Sequence, residues 1–139
     1  MPRSCAIFRL SGILGSSVSI PNTVQSIGIS AFQKCTKLTG ITISDTVTTI
    51  GKEAFSECYN LKTVTLPNHL TTIEYQLFYH CMNLSSVTVP DSVTVMKTGI
   101  FSGCNNLKEV IYQGPLTKWK EIVKNNSFDG IFPHNVKLK

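Results

Sequence analysis

Seven columns of apolar residues recur along the chain at a fixed step of 23 residues, with no insertion or deletion. Three columns keep one residue type in four successive copies, and the other four hold mostly aliphatic residues. Internal repetition with a period of 20–50 residues is typical of solenoids and related arrays. The chain is therefore predicted to be a repeat protein. The columns begin at Val24, Ile27, Phe32, Cys35, Leu38, Ile41 and Ile43.

The first half of each repeat predicts a short strand that ends in a turn. Leu61, Val64 and Leu66 read L-x-x-V-x-L, in which the last two alternate as in a strand with one buried face. Pro67 ends this strand because proline has no N–H to donate to a neighbouring strand. Asn68 follows it, and every copy has Asn or Asp here. Such side chains can bond nearby backbone N–H groups and stabilise the bend.

The second half of the repeat predicts a short helical turn. Within residues 51–58, the side chains of Ala54, Phe55 and Cys58 fall at helix-like spacing and can face one core. Asn60 comes directly after this segment, and asparagine recurs there in the next two copies. A left-handed residue commonly ends a helix, and asparagine tolerates that conformation. We therefore expect Asn60 and its counterparts to terminate the helical turns.

A single unit of this kind cannot bury its own apolar edge, so the units must stack and shield one another. Stacking aligns the strands as a parallel sheet with a spacing of about 4.8 Å. The sequence thus predicts a right-handed α/β leucine-rich-repeat solenoid of 23-residue repeats. Its parallel strands line the concave face, and its short helical turns lie on the convex side. Leucine-rich repeats have periods of roughly 20 to 29 residues.

Residues 50–67 read I-G-x-x-A-F-x-x-C-x-x-L-x-x-V-x-L-P. This pattern resembles the BspA-type leucine-rich repeat of bacterial and protist surface or secreted proteins. The resemblance implies a non-catalytic module for adhesion, placed at the cell surface or secreted. Later copies depart from the pattern, since Gly51 is replaced by Glu74 and then by Lys97. This departure bears on how tightly those coils pack and not on the fold.

Three regions are predicted along the chain. Residues 1–20 look like a degenerate coil or a truncated repeat, and residues 21–113 contain four tandem repeats. Residues 114–139 form a C-terminal cap, with an amphipathic helix around Trp119 and a short final strand. An uncovered strand edge at the N-terminal end would allow self-association. The first residues contain no convincing signal peptide, which favours a piece of a longer protein.

The charge of the chain argues against nucleic-acid and membrane partners. The formal net charge is +5, of which +3 falls in residues 115–139. A nucleic-acid binder requires a basic stripe interleaved with aromatic residues, and the repeats have none. No stretch approaches the roughly 20 apolar residues of a membrane span. We expect neither nucleic-acid binding nor membrane insertion.

Residues that could carry chemistry do not form a recognisable site. The Cys35 column is expected to hold buried free thiols, because equivalent side chains in a stack point the same way and cannot converge on zinc. Cys5 lies outside the column and is the thiol most open to oxidation or crosslinking. Asp45 and Asp91 lie two coils apart, too far to share a calcium ion. With no catalytic motif present, we expect no enzyme activity, no cofactor and no metal.

The outward face of the strands is left as the candidate surface for a protein or glycan partner, since solenoids use such extended faces for recognition. β-Branched threonine also simply suits an exposed strand. Two alternatives therefore stay open, namely a purely architectural spacer of a larger surface protein and a self-association module. The candidate partner-binding residues are Thr42, Lys62, Thr63, Thr65, Ser86, Thr88, Lys108, Glu109 and Ile111.

Overall fold

The computed structural model of the protein describes residues 16–125 and 137–138. Every repeat contributes a strand to one long sheet and a two-residue strand to a second wall. The elements are β1 (Ser17–Ile20), β2 (Ser26–Ile27), β3 (Gly40–Ile43), β4 (Thr49–Ile50), β5 (Thr63–Thr65), β6 (Thr72–Ile73), β7 (Ser86–Val89), β8 (Val95–Met96), β9 (Glu109–Tyr112), helix α1 (Leu116–Asn125) and β10 (Lys137–Leu138).

The long sheet has six parallel strands in the order β1-β3-β5-β7-β9-β10. Its register follows the repeat, since Val18 pairs with Ile41, which pairs in turn with Val64. We refer to residues 17–39, 40–62, 63–85 and 86–108 as coils 1 to 4. The predicted leucine-rich-repeat solenoid is confirmed, with strands that alternate inward and outward side chains. The second wall pairs β2 with β4 and β6 with β8, again in parallel.

The convex side consists of consecutive turns and not of helical turns. In coil 2, Ala54 N donates to Gly51 O (3.3 Å) and Ser56 N to Glu53 O (3.0 Å). Alternate amides donate instead to the next coil, as Phe55 N does to Leu77 O (3.1 Å). The prediction of a helical turn is therefore wrong, because in a helix these amides would donate to carbonyls of the same coil. The inward spacing of the apolar residues is the same in both arrangements.

The left-handed residues also lie elsewhere than predicted. Two columns have positive φ, with values of 60° at Glu53 and 59° at Glu57. Asn60 is not among the positive-φ residues, and its side chain bonds backward to the preceding coil, with Nδ2 2.6 Å from Thr36 O. Its counterparts in coils 3 and 4 make the same bond to Tyr59 O and Met82 O. These asparagines join coils and do not terminate helices.

The turn after the main strand is likewise tied between coils. Asp45 Oδ1 accepts from Asn68 N at 2.9 Å, and Asp45 Oδ2 from Asn68 Nδ2 at 3.1 Å. The sequence predicted that such side chains would bond their own bend. In a stack, the backbone of the next coil is equally close and offers a free N–H. Asp45 and Asn68 therefore stabilise the stacking of coil 3 on coil 2.

The core is built from the repeated columns. Phe32, Phe55, Phe78 and Phe101 form a continuous stack, with neighbouring ring centroids 5.4, 5.8 and 5.9 Å apart. The four column cysteines are buried and free, as predicted. Each later thiol also donates to a phenylalanine carbonyl of the preceding coil, as Cys58 Sγ does to Phe32 O (3.0 Å). The thiols therefore add one weak hydrogen bond at every junction.

At the C-terminal end, α1 covers the last coil. Trp119 is 3% exposed, and its ring centroid lies 5.0 Å from that of Tyr112. Lys118 Nζ pairs with Asp91 Oδ1 at 2.9 Å, which holds the start of the helix against the turn of coil 4. β10 then adds to β9 as the last strand of the sheet. The division into three regions stays a prediction, and Cys5 with the rest of residues 1–15 lies outside the described residues.

Candidate functional site: the outward strand face

The side chains that alternate with the buried residues of the main strands form one continuous surface, which we call the strand face. It has three rows of residues across neighbouring coils. One row is Ser19, Thr42, Thr65, Thr88 and Ile111, and the second is Ser17, Gly40, Thr63, Ser86 and Glu109. The third lies just before the strands and contains Thr39, Lys62, Ser85 and Lys108.

The structure brings all nine predicted candidate residues onto this face. The seven on the strands line up because every second strand residue points to the same face and parallel register places equivalent residues side by side, whereas Lys62 and Lys108 lie just before β5 and β9. Thr42, Thr63 and Thr65 are exposed, as are Lys62 and Lys108. The candidates on β7 and β9 are half-buried, namely Ser86, Thr88, Glu109 and Ile111. Their role in binding stays a prediction.

The threonine hydroxyls at the centre of the face are not used by the protein. In the described part of the chain, the side chains of Thr42, Thr63, Thr65 and Thr88 make no hydrogen bond. Their neighbours at the border behave differently, since Ser86 Oγ donates to Glu109 Oε1 (3.4 Å). The central hydroxyls are therefore available as donors and acceptors for a partner.

The strand face is longer than the sequence indicated. β1 pairs with β3 through four residues, so it is a regular member of the sheet and adds Ser17 and Ser19 to the first two rows. Five strands at about 4.8 Å spacing give the face a span of roughly 19 Å. The two serines were missed because residues 1–20 looked degenerate as a coil. The register of Val18 and Ile20 with the later columns was the available signal.

Charge is confined to the border of the face. Lys62 and Lys108 lie in the row before the strands, and Glu109 begins β9. The two central rows over β3 and β5 hold only Gly40 and threonine hydroxyls. A partner would therefore meet a neutral, hydrogen-bonding centre with charged groups along one side. Charges at such a rim affect encounter rate and orientation more than affinity.

The buried thiols are unsuited to chemistry. Burial raises the pKa of Cys58 and of Cys104 to about 12, and it raises the pKa of Cys81 further still. The reactive thiolate is thus disfavoured, and the sulfurs have no access to solvent. In residues 16–125, no group of three His, Cys, Asp or Glu side chains could hold a metal ion. No described helix is long and apolar enough to cross a membrane.

Comparison with known proteins extends these observations. The family model described as a BspA type leucine rich repeat region matches residues 8–131 in six copies. A leucine-rich repeat protein from Bacteroides capillosus is 31% identical, with a TM-score of 0.67 over 75% of this chain and 82% of that one. One from Bacteroides ovatus is 27% identical, with a TM-score of 0.71 over 89% of this chain and 30% of the other.

A third similar structure is a leucine rich cell surface protein from Faecalibacterium prausnitzii. It is 28% identical, and its TM-score is 0.61 over 77% of this chain. The present chain spans 34% of that protein and 30% of the Bacteroides ovatus protein. No curated protein matches the chain. The comparisons therefore show family and fold, and they name no ligand.

Proposed function

Because the chain belongs to the BspA-type leucine-rich repeat family, we propose that it is a non-catalytic recognition module at the cell surface or in secreted form. It binds a partner through the strand face and contributes to adhesion. A structural relative is described as a cell surface protein, which supports this placement. The solenoid architecture supports the choice of face, since repeat arrays bind partners on their extended concave surfaces.

One observation carries the proposal, namely the row of unused hydroxyls on Thr42, Thr65 and Thr88. Three threonines in register present donors and acceptors at a repeat of about 4.8 Å. β-Branched residues suit an exposed strand and parallel register aligns them in any such repeat, so it is the unused state of the hydroxyls that bears on binding. In the turn after the main strand, by contrast, hydroxyls bond to the preceding coil, as Thr46 Oγ1 does to Val24 O (2.8 Å) and Ser92 Oγ to Leu70 O (2.6 Å).

A protein partner suits this face better than a glycan. The face is extended and shallow, and its described part exposes no aromatic ring. A pocket that encloses a small ligand is concave and usually lined by hydrophobic and aromatic side chains. A broad centre without charge and a charged rim instead agree with protein interfaces, whose centres are depleted of charged residues. A glycan is the alternative that the assay below separates.

The test compares two triple variants on matched surfaces. Thr42, Thr65 and Thr88 are replaced together by arginine on the strand face. The control replaces Thr48, Thr71 and Thr94, which form an exposed column with the same 23-residue step outside the strand face. Both variants add the same charge to the same residue type. Circular dichroism and thermal unfolding verify that each remains folded.

Binding of the wild-type chain is first measured on immobilised purified extracellular-matrix proteins and on a glycan array. We expect a matrix protein to bind with micromolar or tighter affinity. The affinity of the strand-face variant should be lower by at least about tenfold, or about 1.4 kcal/mol. The control variant should bind as wild type does. An equal loss of affinity in both variants, or no loss in the strand-face variant, would exclude the strand face as the binding surface. If the chain binds glycans and no matrix protein, the partner is a glycan and the proposed protein partner is wrong.

A further inference from the structure

The junction between coils 2 and 3 differs from the other junctions on two of its walls. At every junction the main sheet, the second wall and the convex turns can each contribute hydrogen bonds. The second wall joins coil 1 to coil 2 through β2 and β4, and coil 3 to coil 4 through β6 and β8. Within the described residues, β4 and β6 are not paired.

Individual bonds show the same interruption. Gly51 N donates to Ile27 O (2.8 Å), and two coils later Lys97 N donates to Ile73 O (2.9 Å). The equivalent bond from Glu74 N to Ile50 O is absent. A shallow groove of about 750 Å³ lies along this part of the wall, bordered by residues from coils 1 to 3 that include Tyr75.

A shorter strand pairing in the main sheet coincides with this interruption. β3 and β5 pair through two residues, whereas β5 and β7 pair through three, and the pairs β1–β3 and β7–β9 each through four. In the turn, Thr46 Oγ1 bonds to Val24 O (2.8 Å), and Ser92 Oγ bonds to Leu70 O (2.6 Å). His69 occupies the same position in coil 3 and makes no such bond, but Asp45 accepts from Asn68 N (2.9 Å) and Asn68 Nδ2 (3.1 Å), so the turn itself is not weakened.

Glycine explains why the wall closes between coils 1 and 2. A Cβ on Gly51 would lie 2.5 Å from Ile29 N and 2.7 Å from Gly28 C. Gly51 is therefore required for close approach of the two backbones, and not for a left-handed φ. Coil 3 has Glu74 at this position, and its Cβ forbids the same approach to coil 2. Lys97 occupies this position in coil 4, where β6 and β8 pair and Lys97 N donates to Ile73 O (2.9 Å) with a Cβ on both residues 74 and 97.

The convex wall remains intact across the junction. Three amides of coil 2 donate to coil 3, from Glu53 N to Tyr75 O (3.0 Å), Phe55 N to Leu77 O (3.1 Å) and Glu57 N to Tyr79 O (2.6 Å). The other two junctions have the same three bonds in their own registers. In the turn, Asp45 also holds Asn68. The junction is thus continuous on the convex side and weakened on the two other walls.

We propose that the junction between coils 2 and 3 is a hinge, about which coils 1–2 and coils 3–4 move as two rigid halves with the convex turns as the axis. Thr42 lies on one side of this hinge and Thr65 on the other, so bending changes the distance between neighbouring parts of the strand face. The hinge follows from the bonding between coils and holds whether or not the strand face binds a partner.

Amide hydrogen exchange, measured by NMR and corrected for intrinsic rates, tests the weakened wall. The amide of Glu74 should exchange at least about tenfold faster than those of Gly51 and Lys97, since local opening controls exchange. Equal protection of the three amides would overturn the hinge. Glu74→Gly should slow exchange at residue 74 by about tenfold, because it removes the obstructing Cβ. Lys97→Gly is the matched control and should add no protection at residue 97.

Residual dipolar couplings separate a hinge from local fraying of one strand. With a hinge, the couplings of coils 1–2 and of coils 3–4 require alignment tensors of different magnitude. In Glu74→Gly the two tensors should converge. A single tensor that fits residues 16–125 of the wild type as well as two do would overturn the proposal. If the two tensors of Glu74→Gly differ as much as those of the wild type, residue 74 is not the cause of the hinge.

Discussion

Truncation of Phe55 to alanine tests the phenylalanine stack that fills the centre of the solenoid. The Phe55 side chain has no exposed surface, and its ring lies 5.4 Å from Phe32 and 5.8 Å from Phe78. Phe→Ala substitutions in well-packed cores cost about 3–5 kcal/mol. The loss of two aromatic contacts, each worth about 0.5–1.5 kcal/mol beyond burial, places the expected cost near the upper end. We expect a loss of about 5 kcal/mol in the free energy of unfolding.

Guanidinium chloride unfolding measures this cost by linear extrapolation. Far-UV circular dichroism follows the whole array, and the fluorescence of Trp119 follows its C-terminal end. Coincident transitions would show that the coils unfold as one unit. Phe55→Leu is the control, because it keeps much of the volume and should cost only about 1–2 kcal/mol. A cost below about 1 kcal/mol for Phe55→Ala would refute the reasoning.

Three further changes test separate parts of the structure. Trp119→Ala uncovers the last coil and should cost about 3–5 kcal/mol, whereas truncation of exposed Lys120 should leave the melting temperature unchanged. Gly51→Ala places a Cβ 2.5 Å from Ile29 N and should cost about 1–3 kcal/mol in chemical unfolding; a neutral result would contradict the close approach. Burial raises the pKa of Cys58 from its ordinary value of 9.0 to about 12. The unfolded state therefore loses its proton first, so stability present below pH 9 should fall toward pH 12 by about 1.4 kcal/mol per unit. Cys58→Ala should reduce that slope, and an unchanged slope would show that the thiol does not contribute.

The repeated columns predicted the fold because burial leaves an exact periodic record. Phe55, Cys58 and Val64 recur at one step, and the structure places them in one core with parallel strands in the same register. The convex turns could not be predicted in the same way. Consecutive turns and a helical turn both direct Ala54 and Phe55 inward, so apolar spacing does not distinguish them. The two arrangements differ in whether the amides donate within the coil or to the next coil. The pattern of apolar residues is the same in both cases.

The positive-φ positions of the convex turns could hardly be recognised from the sequence. The first positive-φ column is Ser30, Glu53, Gln76 and Gly99, and glycine appears only in the last copy. The left-handed region is unfavourable for residues with a Cβ, so three non-glycine residues there would not be expected from sequence. Coil-to-coil hydrogen bonds hold them in place, as between Ser30 N and Lys52 O (3.0 Å). Tertiary structure overrides local preference at this column.

The candidate residues of the strand face followed from strand alternation, which needs no knowledge of the turns. Thr42, Thr65 and Thr88 were therefore placed correctly from their spacing alone, and the structure adds that their hydroxyls are unused. The hinge lay beyond sequence reasoning. The replacement of Gly51 by Glu74 raised the question of tight packing, but only interatomic distances show that the glycine is needed.

The most direct test of recognition by the strand face is an NMR titration of threonine methyl groups with the matrix protein that binds. Threonines lie both on this face and outside it, so one label reports on two surfaces of the same molecule. The account predicts that methyl resonances of Thr42, Thr65 and Thr88 shift on binding, while those of Thr71 and Thr94 stay in place. Shifts confined to Thr71 and Thr94, or absent from the strand face at saturation, would contradict it.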